Sequence, residues 1–273
     1  MYRRVLTMQD ISCVGQCSTT VALPILSACG LEACILPTAL LSTHTGGFGK
    51  PAVVHFDGAL TEIWHHWQEN GITFDAILVG YLGSLEAVKA AGEIIDRLLA
   101  PGGVAIVDPA MADNGKLYSG FDEDYVRSIG SLAGKADIIL PNVTEAAILS
   151  GLPYQENIDR NYVNQLLNGL NHPRAVLTGV DFDEDSTGIV LQEGTVQHEY
   201  RHKRIGNGCH GTGDIFAAVF TGALMQGKNR LDAAKIAADF TCRCIKNTVN
   251  APAHWYGVKF EPLLPELMEM PGR

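Results

Sequence analysis

"GNGCHGTGDIFAA", residues 206–218, sets a glycine-rich turn directly before an apolar, alanine-rich stretch that reads as the start of a helix. The turn ends in an acid. A Walker-type phosphate loop closes with Lys and then Ser or Thr, because a cation must offset the nucleotide's charge. Here Thr212, Gly213 and Asp214 hold that place. Gly211, Thr212 and Gly213 would still present free backbone N–H groups at the first helical turn, where the macrodipole also favours an anion. A phosphate can be held that way without a lysine. The same residues equally fit a plain helix start with Asp214 complementing the dipole, so the stretch alone leaves both readings open.

If the anion is a transferring phosphoryl group, its acceptor, often an alcohol, must be placed in line and relieved of a proton. Asp214 suits that task, one residue beyond the anion-holding amides. Such a site needs a further carboxylate for a divalent ion, and two acids follow apolar runs: Glu145 in "PNVTEA" and Asp108 in "VDPA".

Outward from the turn, short apolar runs alternate with longer amphipathic segments, the pattern of a parallel sheet covered by helices. Strands are predicted at 3–9, 32–42, 75–81, 103–109, 137–142, 174–180 and 187–192. The clearest helix is 84–99, where Leu85, Val88, Ile95, Leu98 and Leu99 share a side and Ser84 caps the start. Two more helices, 212–226 and 231–247, follow the glycine turn. No repeat, low-complexity tract or long linker divides the chain, so a single domain over 1–273 is expected. Segment 44–57, "HTGGFGKPAVVHFD", fits neither core strand nor helix and reads as a flap, a small edge sheet or a plain surface loop.

In an open parallel sheet, ligands bind outside the carboxyl ends of the strands. Those ends carry Asp10 and Ser12, Thr43 to Gly47, Gly80 and Tyr81, Asp108, Asn142 and Glu145, and Thr178 and Gly179. Hydroxyls, acids and an amide sit there, while the strand interiors are aliphatic.

The 273 residues are 47% hydrophobic with a formal net charge of −10 and no basic run, a balance that offers little to a nucleic acid or an anionic membrane. The N-terminus turns polar at Gln9 and Asp10, too soon for a signal-peptide core. No apolar run approaches the ~18 residues of a membrane helix. Seven cysteines without a CxxC pair read as reduced, and a cytoplasmic location is expected. No GxGxxG follows the first strand, which excludes a dinucleotide oxidoreductase on sequence grounds.

Taken in order, "QDIS", "THTGG" at 43–47, "VGYLGS" at 79–84, "VDPAM", "PNVTEA" and "GTGD" before an alanine-rich helix resemble the ribokinase superfamily in its pyridoxal kinase branch. The resemblance runs from about residue 3 to residue 247. It implies a three-layer α/β fold, a mostly parallel central sheet with helices on both faces. It implies an ATP-dependent kinase acting on the hydroxymethyl group of pyridoxal or a related vitamer, with Mg²⁺, a possible monovalent cation requirement, and a homodimer. Position by position, Asp214 would be the base and Gly211, Thr212 and Gly213 the anion hole. Asn142 and Glu145 would lie by the nucleotide phosphates and the Mg²⁺ water shell, with Thr178 and Gly179 near the phosphates. Asp108 would stand between phosphates and acceptor as a second metal-side acid. Ser12, Thr45 and Tyr81 would line the vitamer pocket and His44 would help close it.

The sequence departs from that branch at Cys13 and Cys17, which puts the vitamer preference in question. Cys209 and His210 just ahead of the anion hole resemble the hydroxymethylpyrimidine kinase branch, whose Ser-Gly-Gly-Ala-Gly opening is absent. That branch is the alternative within the fold; a non-catalytic vitamer or nucleotide binder is the alternative outside enzymes. Other conspicuous residues read as structural. His65 and His66 on a helix point in different directions and make no joint metal site. Cys242 and Cys244 read as buried apolar groups. Cys13 and Cys17 approach each other only if a helix starts between them. The acid run 180–186 reads as a solvated turn between strands.

Overall fold

The computed structural model describes residues 2–206, 209–251 and 253–270, leaving Asn207 and Gly208 of the glycine turn outside. Its centre is a nine-stranded sheet. Six strands run parallel: β2 (Glu32–Leu41), β1 (Arg4–Ser12), β4 (Phe74–Val79), β5 (Leu99–Val107), β8 (Ile138–Ile139) and β9 (Arg174–Asp181), in that spatial order. At one end β3 (Val53–His55) adds antiparallel to β2. At the other, β10 (Ser186–Glu193) and β11 (Val196–Lys203) extend β9 as an antiparallel meander.

The parallel strands are aliphatic because both faces are covered. Along β4, Ile77 and Val79 enter one core and Ala76 and Leu78 the other; along β5, Ala105 and Val107 oppose Ile106. The first core is closed by α2 (Asp57–Glu69), α3 (Leu85–Leu98), α4 (Glu123–Ala133), α5 (Val143–Ser150) and α6 (Arg160–Gly169). The second is closed by α1 (Thr19–Ala28), α7 (Thr212–Met225), α8 (Arg230–Thr248) and α9 (Leu264–Met268). Phe220 on α7 and Phe240 on α8 are wholly buried there, each worth about 2–3 kcal/mol of apolar transfer. This is the three-layer α/β architecture expected, with the helices on both faces.

All seven predicted strands form, although 137–142 shortens to two residues before turning into α5. Ser84 caps α3, its hydroxyl accepting from Ala87 N at 3.1 Å. β11 and a short hairpin lie outside the sequence expectation, whereas segment 44–57 supplies an edge strand, in line with its edge-sheet reading. β11 is polar, VQHEYRHK, since only one of its edges is paired and most of its length faces solvent. A two-stranded hairpin, β6 (Ala112–Asp113) and β7 (Lys116–Leu117), follows Asp108. Within 44–57, Val53–His55 joins the main sheet through β2. Helix α1 starts at Thr19, after both Cys13 and Cys17 rather than between them.

Candidate active site

The carboxyl ends of the parallel strands open into one cleft of about 1040 Å³, which runs from the β1–α1 connection to the β10–β11 hairpin. The sequence-predicted residues Ser12, His44, Thr45, Tyr81, Asp108, Asn142, Glu145, Thr178, Gly179 and Gly211 to Asp214 all line it. The list of strand ends therefore converges on one surface.

At its centre lies the start of α7. Gly211 holds the N-cap position at φ 85°, and a Cβ there would fall 2.0 Å from the carbonyl oxygen of Gln16. Only glycine meets both conditions. Ile215 N makes the first intrahelical bond, to Gly211 O at 3.0 Å, so the amides of Thr212, Gly213 and Asp214 lack helical acceptors and are free for an anion. Asp214 follows in the first turn. Burial in the cleft pushes its pKa up to about 7; the nearby charge of Asp10 adds to the rise, and a hydrogen bond from the Ser18 backbone N–H opposes it. Ser18 itself sits at φ 55°, unusual for a residue with a side chain, and its hydroxyl bonds Asp10. One residue thus holds two carboxylates, Asp214 by its amide and Asp10 by its side chain.

Across from α7 stand Asp108, after β5, and Glu145, in the first turn of α5. Asn142 caps α5, accepting from Glu145 N at 2.9 Å, while Glu145 Oε2 accepts from Asn142 N at 2.9 Å in a capping box. The other oxygen, Oε1, accepts from Met111 N at 3.1 Å. Burial raises Glu145 to about 8 against the pull of these amides. Asp108 is raised well above the ordinary carboxylate range by burial first, then by repulsion from Glu145 and Asp214. Three acids are thus gathered with no lysine among them; of the described residues lining the cleft, Arg204 is the one Lys or Arg, and it pairs with Asp181 at 2.8 Å. Among the described residues no three His, Cys, Asp or Glu side chains converge to hold a metal ion by themselves.

Thr178 N bonds Pro141 O at 2.9 Å, aligning the ends of β8 and β9. Gly179, at φ 65°, is the extra residue in the pairing of β9 with β10, where Thr178 meets Ile189 and Val180 meets Gly188. Toward the β1 end, Tyr81 packs on Phe121 with ring centroids 5.5 Å apart, and Tyr118 closes the same aromatic arc. His44 is buried and neither nitrogen is free: Nε2–H donates to Tyr256 O at 2.7 Å and Nδ1 accepts from Gly46 N at 3.0 Å. Its place in the cleft wall is therefore one of shape. Phe48 packs at a tilt against Trp255 beside it, ring centroids 4.6 Å apart, so 44–49 packs on the C-terminal segment.

Asp10, Tyr118 and Arg204 were not singled out as site residues in the sequence. Asp10 belongs to the strand-end list, and that position was the available signal; nothing local marks Tyr118 or Arg204. Cys242 is buried as expected, its Sγ 3.0 Å from His202 Nδ1 at the β11 end of the cleft. His65 and His66 lie on α2, away from the cleft lining.

A sheet of this order, closed by helices on both faces, with a glycine N-cap and an acid at the carboxyl ends of the strands, defines a kinase of the ribokinase superfamily. Residues 23–258 match the family model described as phosphomethylpyrimidine kinase, and the chain belongs to that family, in its pyridoxal kinase branch. A pyridoxine/pyridoxal/pyridoxamine kinase of Bordetella avium is 30% identical over 89% of this chain and 85% of its own. The crystal structure of pyridoxal kinase from Lactobacillus plantarum superposes with a TM-score of 0.89 at 34% identity, covering 98% of this chain and 97% of that one. A protein of Bacteroides thetaiotaomicron described as a putative phosphomethylpyrimidine kinase, crystallised with pyridoxal, gives 0.91 at 30% identity over 100% and 99% of the two chains.

Proposed function

We propose that this chain transfers the γ-phosphoryl group of ATP to the hydroxymethyl group of pyridoxal and related vitamers, as a vitamin B6 salvage kinase. The observation that carries the reading is Asp214, raised to about 7 and set in the first turn of α7 among its free amides. A carboxylate of that basicity near neutral pH accepts the proton of an alcohol as it attacks. The amides of Gly211, Thr212 and Gly213 hold the transferring oxygens, in place before the reaction begins. Ser12, Thr45 and Tyr81 receive the ring of the acceptor; Asn142, Thr178 and Gly179 receive the nucleotide phosphates.

Asp108 and Glu145 would fit Mg²⁺: both offer hard carboxylate oxygens, and the described lining carries an excess of negative charge with no lysine. Both Glu145 oxygens already accept backbone N–H groups, so Asp108 would be the more available acid for the ion, with Glu145 acting through its charge. Bound with the triphosphate, the ion supplies charge neutralisation between leaving and transferring groups. The chain's own residues position the acceptor, take its proton and hold the phosphoryl oxygens.

A cytoplasmic location, expected from the sequence, and a homodimer, which the sequence resemblance implies, belong to the same proposal; no described helix is long and apolar enough to cross a membrane. ATP turnover with Mg²⁺ against pyridoxal, pyridoxamine, pyridoxine and 4-amino-5-hydroxymethyl-2-methylpyrimidine, with Asp214→Asn as the blank, tests the reading. Preference for the vitamers, lost in the variant, is expected. The second reading, a hydroxymethylpyrimidine kinase, has the family description and Cys209–His210 in its favour, and preference for the pyrimidine would establish it.

A further inference from the structure

One carboxylate in the cleft has no part in phosphoryl transfer. Asp10 ends the buried run of β1 and is 3% exposed, yet it lines the acceptor side of the cleft. Ser12 Oγ donates to its Oδ2 at 3.0 Å and the Ser18 hydroxyl donates as well. Among the described residues no Lys, Arg or His is paired with it; its titratable neighbours there are Cys17 from the β1–α1 connection, Tyr81 after β4 and Asp214 on α7, none of them a cation. A buried carboxylate with two hydroxyls and no positive partner is costly to keep, and burial raises its pKa accordingly. Such a group is held ready for a ligand that brings the missing charge.

We infer that Asp10 is the specificity-determining group for the acceptor ring, taking the N–H of a protonated ring nitrogen so that the heterocycle binds as a cation at that atom. The inference rests on the cleft being a vitamer kinase site. The geometry carries it in three ways. Asp10 shares the cleft wall with Tyr81, whose ring belongs to the aromatic arc that would lie against a flat heterocycle. It is tied through Ser18 to Asp214, so the group that fixes the ring and the group that deprotonates its hydroxymethyl are set by one residue. Its charge is also among the causes that raise Asp214. An incoming ring cation cancels that repulsion and leaves Asp214 easier to ionise once the acceptor is bound.

The test uses the full chain with pyridoxine labelled with ¹⁵N in the ring. In the wild type, the bound ring nitrogen is expected to show the shift of a protonated pyridine at a pH above that at which free pyridoxine loses this proton. With Asp10→Asn the shift should move to that of the unprotonated ring. KM for the acceptor should rise about 10- to 100-fold, the loss expected for a hydrogen bond between charged groups, with KM for ATP unchanged. The rising limb of kcat/KM with pH should move to lower pH, because one neighbour of Asp214 has lost its charge; the ¹⁵N shift is the readout that a purely structural role would leave in place. An unprotonated ring nitrogen in the wild-type complex overturns the inference, and that measurement needs no variant to fold. So does an Asp10→Asn enzyme with wild-type acceptor KM. Wild-type turnover is measured first and decides the vitamer reading separately. If only the pyrimidine is phosphorylated, that reading fails, and the same shift measured on ¹⁵N-labelled pyrimidine still decides the role of Asp10.

Discussion

Asp214→Asn should make the protein more stable while removing its activity. Burial in the cleft lifts this carboxyl from 3.8 to about 7, so the fold favours its protonated form. The native state then binds more protons than the unfolded chain between those two values. Stability is therefore full below about pH 4 and falls as pH rises through about 7. At about 1.4 kcal/mol for each tenfold change in proton affinity, the lost stability above pH 7 has an upper bound of about 4 kcal/mol. Solvent reaches the carboxylate from the open side of the cleft, and screening brings the figure nearer to ~2 kcal/mol. Asparagine keeps the shape and cannot ionise, so it recovers that amount, which for a chain of this size is a Tm gain of about 4–8 °C. Thermal unfolding of both proteins without ligands, followed by circular dichroism from about pH 4 to about pH 8, measures it. The Tm difference should be close to zero at the acid end and largest at the basic end, while turnover with ATP falls roughly 10²- to 10⁴-fold. A variant less stable than the wild type near pH 8, or a difference that does not change with pH, would show that Asp214 is not a destabilised carboxylate and refute the argument.

Other outcomes follow from the same geometry. Gly211→Ala forces a side chain into the left-handed region and against the Gln16 carbonyl, costing about 1–3 kcal/mol; displacing the amides behind it should lower kcat roughly 10²-fold or more, with an unchanged kcat the contrary result. Glu145→Ala leaves the Asn142 and Met111 amides without acceptors, for a loss of about 2–4 kcal/mol in denaturant unfolding; a loss under ~0.5 kcal/mol would contradict the capping-box account. Removing divalent ions with EDTA should abolish turnover and leave the Tm of the ligand-free protein where it was, since no described side chains hold a metal by themselves. In wild-type enzyme, kcat/KM should rise with pH through about 7 as Asp214 ionises; a flat profile across that range would exclude it as the base.

The sheet and the centre of the site were legible because their causes are local. Runs such as "DAILVGY" and "GVAIVDP" are aliphatic on both faces, which only a covered parallel strand requires, and Gly211 to Asp214 combine a helix start with an acid in four consecutive residues. What escaped the sequence depends on distant partners. β11 is polar because it pairs along one edge only, so its alternation carries little apolar signal. That His44 is tied into the cleft wall is set by Tyr256 O, 212 positions away, which takes its Nε2–H. Asp10 stood among the strand ends, but its burial without a cation is a property of the β1–α1 connection folded against α7. Tyr118 reaches the cleft only because the β6–β7 hairpin turns the chain back over Asp108.

The close approach of Gly211 to the Gln16 carbonyl ties the β1–α1 connection, proposed to lie under the acceptor ring, to the turn proposed to hold the phosphoryl group, and on both sides it is made by backbone. Side chains on the β1–α1 connection, Cys13 and Cys17 among them, can therefore change while the two main chains stay in register. On the proposed assignment, a chain wired this way could alter its acceptor pocket by side-chain replacement alone and keep the geometry of its transfer loop.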